Sequence, residues 1–434
     1  MEISKKRVSF HTLGCKLNFA ETSAIARSLP DDRYDKVPQG ADADIYVINT
    51  CTVTGTADRK CRQTIKKLIS RSPDALIAVV GCYAQLNPEK ILAIPGVDIV
   101  LGNYEKFNLA DYLVNKKKGD GEIIHACGNT VNDSYFPAFS IGGRTRSFLK
   151  VQDGCDYRCS YCTIPDARGP SRNQDIVSLV SEAEKIAENG IKEIVLTGVN
   201  IGDFGKSTGD TFTGLLKELV KVEGIERYRI SSIEPDLISS ELIDFAAGSG
   251  KILPHFHIPL QSGSDHVLKM MRRRYKRELF ERKVSLIKTR IPLAGIGADV
   301  IVGFPGESDA DFTDTLSFLE KMPLSYLHVF SFSERPGTPA WEMPGKVPYP
   351  AREERSKRLI SLSDRKHREF CIENTGKNAS VLFEHSRKEG MITGFTGNYL
   401  SVEYPWNNNL AGKIRKVFLK GMASSGKMTA EIIN

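Results

Sequence analysis

The 434-residue sequence lacks several things that would settle its class at once. No apolar run approaches the roughly 20 residues of a membrane span, which predicts no transmembrane helix and no membrane partner. The start, Met1-Glu2-Ile3-Ser4-Lys5-Lys6-Arg7, passes into a short strand and not into a hydrophobic signal region, so a secretory leader is not expected. An even set of cysteines at framework spacing is also missing. There are nine, an odd number, and at least three are arranged for metal. That pattern predicts a reducing, cytoplasmic setting and excludes a disulfide scaffold. No strong charge bias is present either. The net charge of +7, with a pI near 8.8, is a mild pointer to an anionic partner such as nucleic acid.

What is present begins with Gly154-Cys155-Asp156-Tyr157-Arg158-Cys159-Ser160-Tyr161-Cys162. Three cysteines at C-x3-C-x2-C spacing bring three thiolates to one metal centre. A structural zinc site or a fully liganded iron–sulfur cubane wants a fourth ligand. No cysteine or histidine close by in sequence offers one. The economical reading is a four-iron cluster held at three irons, its last iron open to an exogenous ligand. A zinc knuckle, or buried cysteines that bind nothing, are the alternatives. Leu149-Lys150-Val151 ends a strand just before the triplet and a helix begins near Asp175. The cysteines therefore fall in a βα loop, where barrel enzymes place their chemistry.

Upstream, short apolar runs alternate with polar helical stretches, the pattern of a parallel α/β sheet. Val8–Thr12 leads to Gly14-Cys15, Asp44–Thr50 to Cys51, and Leu76–Gly81 to Cys82. Ligands of open parallel sheets collect beyond the carboxyl ends of strands, so these three cysteines are expected to converge. A small apolar cysteine often only fills a core; Cys61, in mid-helix, reads as a structural or incidental thiol, and Cys127 and Cys371, without partner spacing, as core or surface cysteines.

From Thr145 to about Arg335 six strands alternate with five helices, which predicts an incomplete (β/α) barrel. Polar groups end its strands: Thr197, Gly198 and Asn200, then Ser231 and Glu234, then Gln261. Turn chemistry accounts for such residues equally well. His255 and His257 read as satisfied barrel histidines or as proton carriers. Met270-Met271-Arg272-Arg273-Arg274-Tyr275-Lys276-Arg277 reads as a solvated basic face. After a proline-rich crossover and a charged helix near 352–373, five short alternating segments predict a small open β-barrel. It carries eight Lys and Arg against four Asp and Glu, with Phe395, Tyr399, Tyr404 and Trp406 as stacking faces.

The C-x3-C-x2-C triplet resembles the radical S-adenosylmethionine (radical SAM) signature. Thr12-Leu13-Gly14-Cys15-Lys16-Leu17-Asn18, Asn49-Thr50-Cys51-Thr52-Val53 and Val80-Gly81-Cys82-Tyr83-Ala84-Gln85 narrow the resemblance to the methylthiotransferases, and the C-terminal segment resembles a TRAM domain. The resemblance implies an auxiliary-cluster domain over 1–140, a partial (β/α)6 radical SAM barrel over 141–371 and an RNA-binding TRAM barrel over 372–434. It implies two 4Fe-4S clusters, one on Cys155, Cys159 and Cys162 and an auxiliary one on Cys15, Cys51 and Cys82. S-adenosylmethionine is expected near Thr197, Gly198, Asn200, Ser231, Glu234 and Gln261. The activity implied is replacement of a C–H hydrogen by a methylthio group. Cys159–Gly169 and the Cys15 motif look most like the branch acting on N6-threonylcarbamoyladenosine in the tRNA anticodon stem-loop, beside the anticodon. Isopentenyladenosine in tRNA and a ribosomal-protein aspartate are the substrates of the other branches. The implied partners are a one-electron donor such as flavodoxin or ferredoxin, and a sulfur donor. A non-catalytic iron–sulfur RNA-binding protein is the alternative of a different class.

Overall fold

A computed structural model describes residues 5–114, 116–120, 123–125 and 135–433. Cys127 lies outside the described residues. The first unit is a parallel sheet of six strands in the order β2-β1-β3-β4-β5-β6. These are β1 (Lys6–Thr12), β2 (Tyr34–Val37), β3 (Ile45–Thr50), β4 (Leu76–Gly81), β5 (Ile99–Leu101) and β6 (Ile123–His125). Every residue of β3 and β4 is buried, as their unbroken apolar runs require of central strands with helices on both faces. The sequence reading found β1, β3 and β4 and missed β2, β5 and β6. Those three are short, and β2 reads Tyr-Asp-Lys-Val, without a usable alternation.

The middle of the chain forms two three-stranded parallel sheets. One holds β7 (Arg146–Lys150), β8 (Glu193–Thr197) and β9 (Arg227–Ile230). The other holds β10 (His255–His257), β11 (Gly295–Val302) and β12 (Tyr326–Ser331). Parallel bridges Tyr228–Ile252 and Ser232–His257 join them into one six-stranded partial barrel. Helices Ile176–Glu188, Phe212–Leu219, Ser240–Gly248, Arg277–Arg290 and Asp309–Lys321 cover its outside, as expected. Side-chain caps start several of them: Asp175 accepts from the Ser178 N–H, and Ser308 forms a capping box with Asp311. Odd and even strand residues divide between the apolar outer layer (Ile194, Ile230, Phe256, Ala298) and a polar lumen (Glu193, Arg229, His257, Asp299).

Helix Tyr349–Asn374 leads to five strands: β13 (Asn378–Lys388), β14 (Met391–Thr396), β15 (Ser401–Pro405), β16 (Ile414–Met422) and β17 (Met428–Ile432). They make a closed barrel, not the open one expected, because β15 also pairs in parallel with β17 at Val402–Met428. The barrel docks on the base of the larger one. Arg229 donates to the carbonyls of Gly397 (3.0 Å) and Thr396 (3.2 Å). Tyr399, at φ +75°, lies 4.5 Å ring to ring from His255. Gly295 is required there, since a Cβ would stand 2.1 Å from the Asn398 carbonyl oxygen. Phe395 sits under Arg146 at 4.8 Å. Phe395 and Tyr399 therefore serve docking and are not free stacking faces. Tyr404 and Trp406 pack partly on the small barrel's own core.

Candidate functional site: two cysteine triads about one cleft

The dispersed triad is assembled by glycines. Cys15 precedes helix Lys16–Ser28, Cys51 follows β3, and Cys82 opens the short helix Cys82–Leu86 after β4. Gly14, at φ +106°, has no room for a side chain: a Cβ would lie 2.5 Å from Cβ and 2.9 Å from Sγ of Cys51. Gly81, at φ +96°, would put a Cβ 2.3 Å from Oδ1 of Asn49. The Gly-Cys pairs thus reflect close approach of three strand ends. Burial pushes the Cys51 thiol up to about 12, with the charges of Cys15 and Cys82 adding to it. Cys15 keeps an exposed edge, yet desolvation by the surrounding protein raises its thiol while Arg168 pulls it down.

Behind this triad lies a buried ionic network that joins the first unit to the barrel. Glu21 pairs with Lys106 (2.6 Å), Arg168 (2.9 Å) and Lys150 (3.3 Å). Asp153 pairs with Lys150 (2.7 Å), Arg168 (2.9 Å) and Arg172 (3.0 Å). Two carboxylates face four cations, all nearly inaccessible. The three flanking cations hold Glu21 well below the usual carboxylate range against a large burial penalty. The excess positive charge borders the triad: Arg168 donates to Oδ1 of Asn18 at 2.9 Å, and that oxygen is 3.7 Å from Sγ of Cys15. Asn103 links Cys82 (3.6 Å) to the Ala167 carbonyl (2.7 Å). Buried cations in excess favour an anionic group beside them, which suits thiolates holding a metal cluster.

The contiguous triad occupies the loop after β7. The Tyr157 and Ile164 N–H groups each donate to a sulfur at 3.4 Å, of Cys155 and Cys162 respectively. Burial pushes both of these thiols up to about 12. Arg273 donates to Sγ of Cys159 at 3.1 Å and pairs with Glu234. Its side chain is 2% exposed. The basic run 270–277 is a solvated face only in part: Arg272, Arg274 and Lys276 are exposed, whereas Arg273 turns inward and Tyr275 donates to the Pro259 carbonyl at 2.6 Å. Burial lifts Glu234 to about 7, with Arg273 pulling the other way.

Among the described residues, the one group of three metal-ligating side chains whose ligand atoms all lie within 4.8 Å is His257, Asp299 and His328. Neither cysteine triad meets that limit. Thiolates on a single tetrahedral zinc stand about 3.8 Å apart, given Zn–S of about 2.3 Å. The wider spacing favours a polynuclear cluster over zinc in both places.

Of the strand-end residues expected around S-adenosylmethionine, Glu234 reaches the triad through Arg273, and Gln261 lines the cleft. Asn200 is buried, its amide held by Asp203 at 2.9 Å and its Oδ1 without a partner. Asp236, which accepts from the Tyr157 hydroxyl at 2.5 Å, also has one unpartnered buried oxygen. Two such acceptors near the loop fit a ligand that brings N–H groups. Thr197 and Gly198 serve the strand end itself, since a Cβ on Gly198 would meet Gln152 at 2.8 Å. Ser231 is half-buried.

A cleft of about 750 Å³, counting its open mouth, connects the two regions. Val53 and Thr54, just past Cys51, line one wall, Tyr161–Ile164 another, and Gln261, Asp299 and Phe330 the floor. Gly55 N–H to Ser333 (2.9 Å) and Arg335 to Asp58 (2.7 Å) hold the walls together. Sequence reasoning missed Glu21, Lys106, Lys150, Asp153, Arg168, Arg273, Asp299 and His328. The one available signal was a charge directly before a cysteine motif, as at Lys150 and Asp153. Cys61 and Cys371 are both buried in hydrophobic cores, which decides between the placements left open for them.

The partial barrel and its triad loop are those of a radical SAM protein. The chain matches the Radical SAM superfamily over residues 149–319 and the group described as Uncharacterized protein family UPF0004 over 7–102. Among solved structures, the radical S-adenosylmethionine methyltransferase TsrM from Kitasatospora setae, with cobalamin and a 4Fe-4S cluster bound, is similar in fold. The TM-score is 0.56 at 16% identity, covering 77% of this chain and 74% of that one. The threonylcarbamoyladenosine tRNA methylthiotransferase MtaB of Bacillus subtilis (strain 168) is 41% identical over 421 residues, 94% of this chain and 93% of the relative. A tRNA-2-methylthio-N(6)-dimethylallyladenosine synthase of Syntrophus aciditrophicus (strain SB) is 32% identical, covering 97% and 93%. This chain belongs to the methylthiotransferase family of radical SAM enzymes.

Proposed function

We propose that this chain converts N6-threonylcarbamoyladenosine, beside the anticodon of tRNA, to its 2-methylthio derivative. The observation that supports the reading is a cleft with Cys162 of the contiguous triad on one wall and Val53 and Thr54, just past Cys51 of the dispersed triad, on another. Similarity to the MtaB proteins over nearly the whole chain supports the threonylcarbamoyl branch ahead of the isopentenyl and ribosomal-protein branches. Cys155, Cys159 and Cys162 are assigned to one 4Fe-4S cluster, and Cys15, Cys51 and Cys82 to the auxiliary one. When bound, these clusters and S-adenosylmethionine bring the reducing electron, the hydrogen-abstracting radical, the sulfur and the methyl group.

The chain's own part is placement and exclusion of water. Arg273 braces Cys159 and holds Glu234 in place beside the loop. Asn200 and Asp236 offer acceptors to the amino end of S-adenosylmethionine. Arg168 and Lys106 favour the anionic state of the dispersed triad. On this reading the domains are 1–140, 141–371 and 372–434, with the closed C-terminal barrel as a TRAM module for the tRNA. The working partners are the anticodon stem-loop, a one-electron donor such as flavodoxin or ferredoxin, and a sulfur donor. The setting is the cytoplasm; among the described residues no helix is long and apolar enough to cross a membrane.

The test is nucleoside mass spectrometry of tRNA from a host lacking its own methylthiotransferases, with and without this chain. A methylthio increment on threonylcarbamoyladenosine is expected. An increment confined to isopentenyladenosine would move the substrate, and none on either would refute a tRNA target.

A further inference from the structure

The segment after β12 runs over 332–338 into the short helix Pro339–Glu342. Its shape is dictated locally. In the turn Arg335-Pro336-Gly337-Thr338, proline fixes φ at the second position, and Gly337 at φ +85° suits the third. The Thr338 N–H closes the turn on the Arg335 carbonyl at 3.2 Å, and the Thr338 hydroxyl donates to the same carbonyl at 2.7 Å. The Arg335 side chain leaves this turn toward the first unit and is 8% exposed.

One side of the segment grips the loop after Cys51. Arg335 donates to Asp58 at 2.7 Å and to the Thr52 hydroxyl, which itself donates to Asp58 at 2.8 Å. Ser333 accepts from the Gly55 N–H at 2.9 Å. The other side enters the loop of the contiguous triad. The Ala340 N–H donates at 2.8 Å to the carbonyl of Ser160, which lies between Cys159 and Cys162. Phe332 and Ala340 share a buried apolar cluster with Phe304, and Tyr161 of the triad loop packs against it. Ring centroids stand 5.3 Å apart for Phe304 and Phe332 and 6.4 Å apart for Tyr161 and Phe304.

A single short segment therefore reaches the surroundings of both triads. Cys51 and Cys162 belong to separate units, so their spacing depends on contacts between the units. Units joined through polar contacts shift relative to one another unless directional bonds pin them. A misplacement of about 1 Å between reacting groups costs about a hundredfold in rate. The Arg335 guanidinium supplies such pins, with its buried Nε left without a hydrogen bond among the described residues. Burying an arginine with one N–H unpaired is weak support for stability; its planar fork instead fixes direction.

We propose that 332–340 is a strap that sets the spacing of the two triads, with Arg335 as its positioning residue. The role presupposes the two clusters of the proposed function and adds what holds them at a working distance. Loss of one charge-assisted hydrogen bond shifts the ratio of strapped to loosened forms about tenfold.

Pulsed electron paramagnetic resonance of the reduced, cluster-loaded enzyme reads the distribution of distances between the clusters. The 5′-deoxyadenosine released per methylthiolated nucleoside, on anticodon stem-loop RNA, reads whether the two sites still work in step. Arg335→Leu is expected to broaden the distribution and to raise that ratio several-fold. Gly337→Ala, where a Cβ meets nothing within 4 Å, disturbs only the turn and should move both readouts the same way, less far. Arg27→Leu removes a different contact of the first unit, a bond at 2.8 Å to the carbonyl of Phe139, which is bridged to Leu149 of β7. It should leave both readouts as in the wild type. An unchanged distribution or an unchanged ratio in both strap variants would overturn the strap, and so would equal broadening in Arg27→Leu. A wild type that holds one cluster, with no coupling between spins, removes the two-cluster reading itself.

Discussion

Cys155, Cys159 and Cys162 come from one short loop, whereas Cys15, Cys51 and Cys82 come from three strand ends far apart in the chain. The difference sets what each depends on. The contiguous triad needs only its loop, two N–H···S bonds and Arg273. The dispersed triad needs a whole parallel sheet in register, two glycines with no space for a Cβ, and a buried ionic network behind it. One site is local and readily formed. The other is a property of tertiary structure and should fail when the packing around it fails.

Single cysteine changes test that contrast most severely. Cys51→Ala and Cys155→Ala should each reduce anaerobically reconstituted iron from about eight to about four atoms per chain, with methylthiolation lost in both. Iron analysis with Mössbauer spectroscopy would show which half has gone; a full complement in either variant would remove that cysteine from its site.

Glu21→Gln comes next. It leaves Lys106, Lys150 and Arg168 buried with one carboxylate fewer, a loss of about 3–5 kcal/mol. Chemical denaturation should register the drop, and the dispersed triad should lose iron before the contiguous one. An unchanged midpoint would mean that the network contributes nothing.

Gly81→Ala is smaller but more pointed. A methyl group 2.3 Å from Asn49, on a residue at φ +96°, should cost about 2 kcal/mol or more. Iron should fall at the dispersed triad alone, and equal losses at both triads would break the comparison.

The smallest effect belongs to Cys61→Ala. Cys61 is buried beside Cys51, its Sγ 3.4 Å from the Cys51 carbonyl oxygen. Its loss should cost about 1 kcal/mol with iron content intact. A variant short of iron would make it a ligand and not a core thiol.

The same contrast explains what could be read from the sequence. The contiguous triad was legible from spacing, and the dispersed one because three apolar runs each end in a cysteine. The barrel's six strands were legible from their apolar runs and the helices between them. Strands β2, β5 and β6 were not, being too short to show a period. Arg273 was misjudged because a run of arginines reads as a solvated face until a partner such as Cys159 is known. Glu21 and Lys106 were invisible for a related reason. Burying a charge depends on which opposite charges tertiary structure brings to it, and no local pattern records that. Phe395 and Tyr399 look like stacking faces in sequence, but the docked barrel covers them.

The division of labour between the triads is tested most directly by measuring 5′-deoxyadenosine and methylthiolated nucleoside in the same anaerobic reaction, by mass spectrometry, for wild type, Cys82→Ala and Cys155→Ala. The wild type should form both products. Cys82→Ala should still form 5′-deoxyadenosine but no methylthiolated nucleoside, and Cys155→Ala should form neither. Full methylthiolation by Cys82→Ala would contradict the assignment of the dispersed triad to the sulfur-donating site.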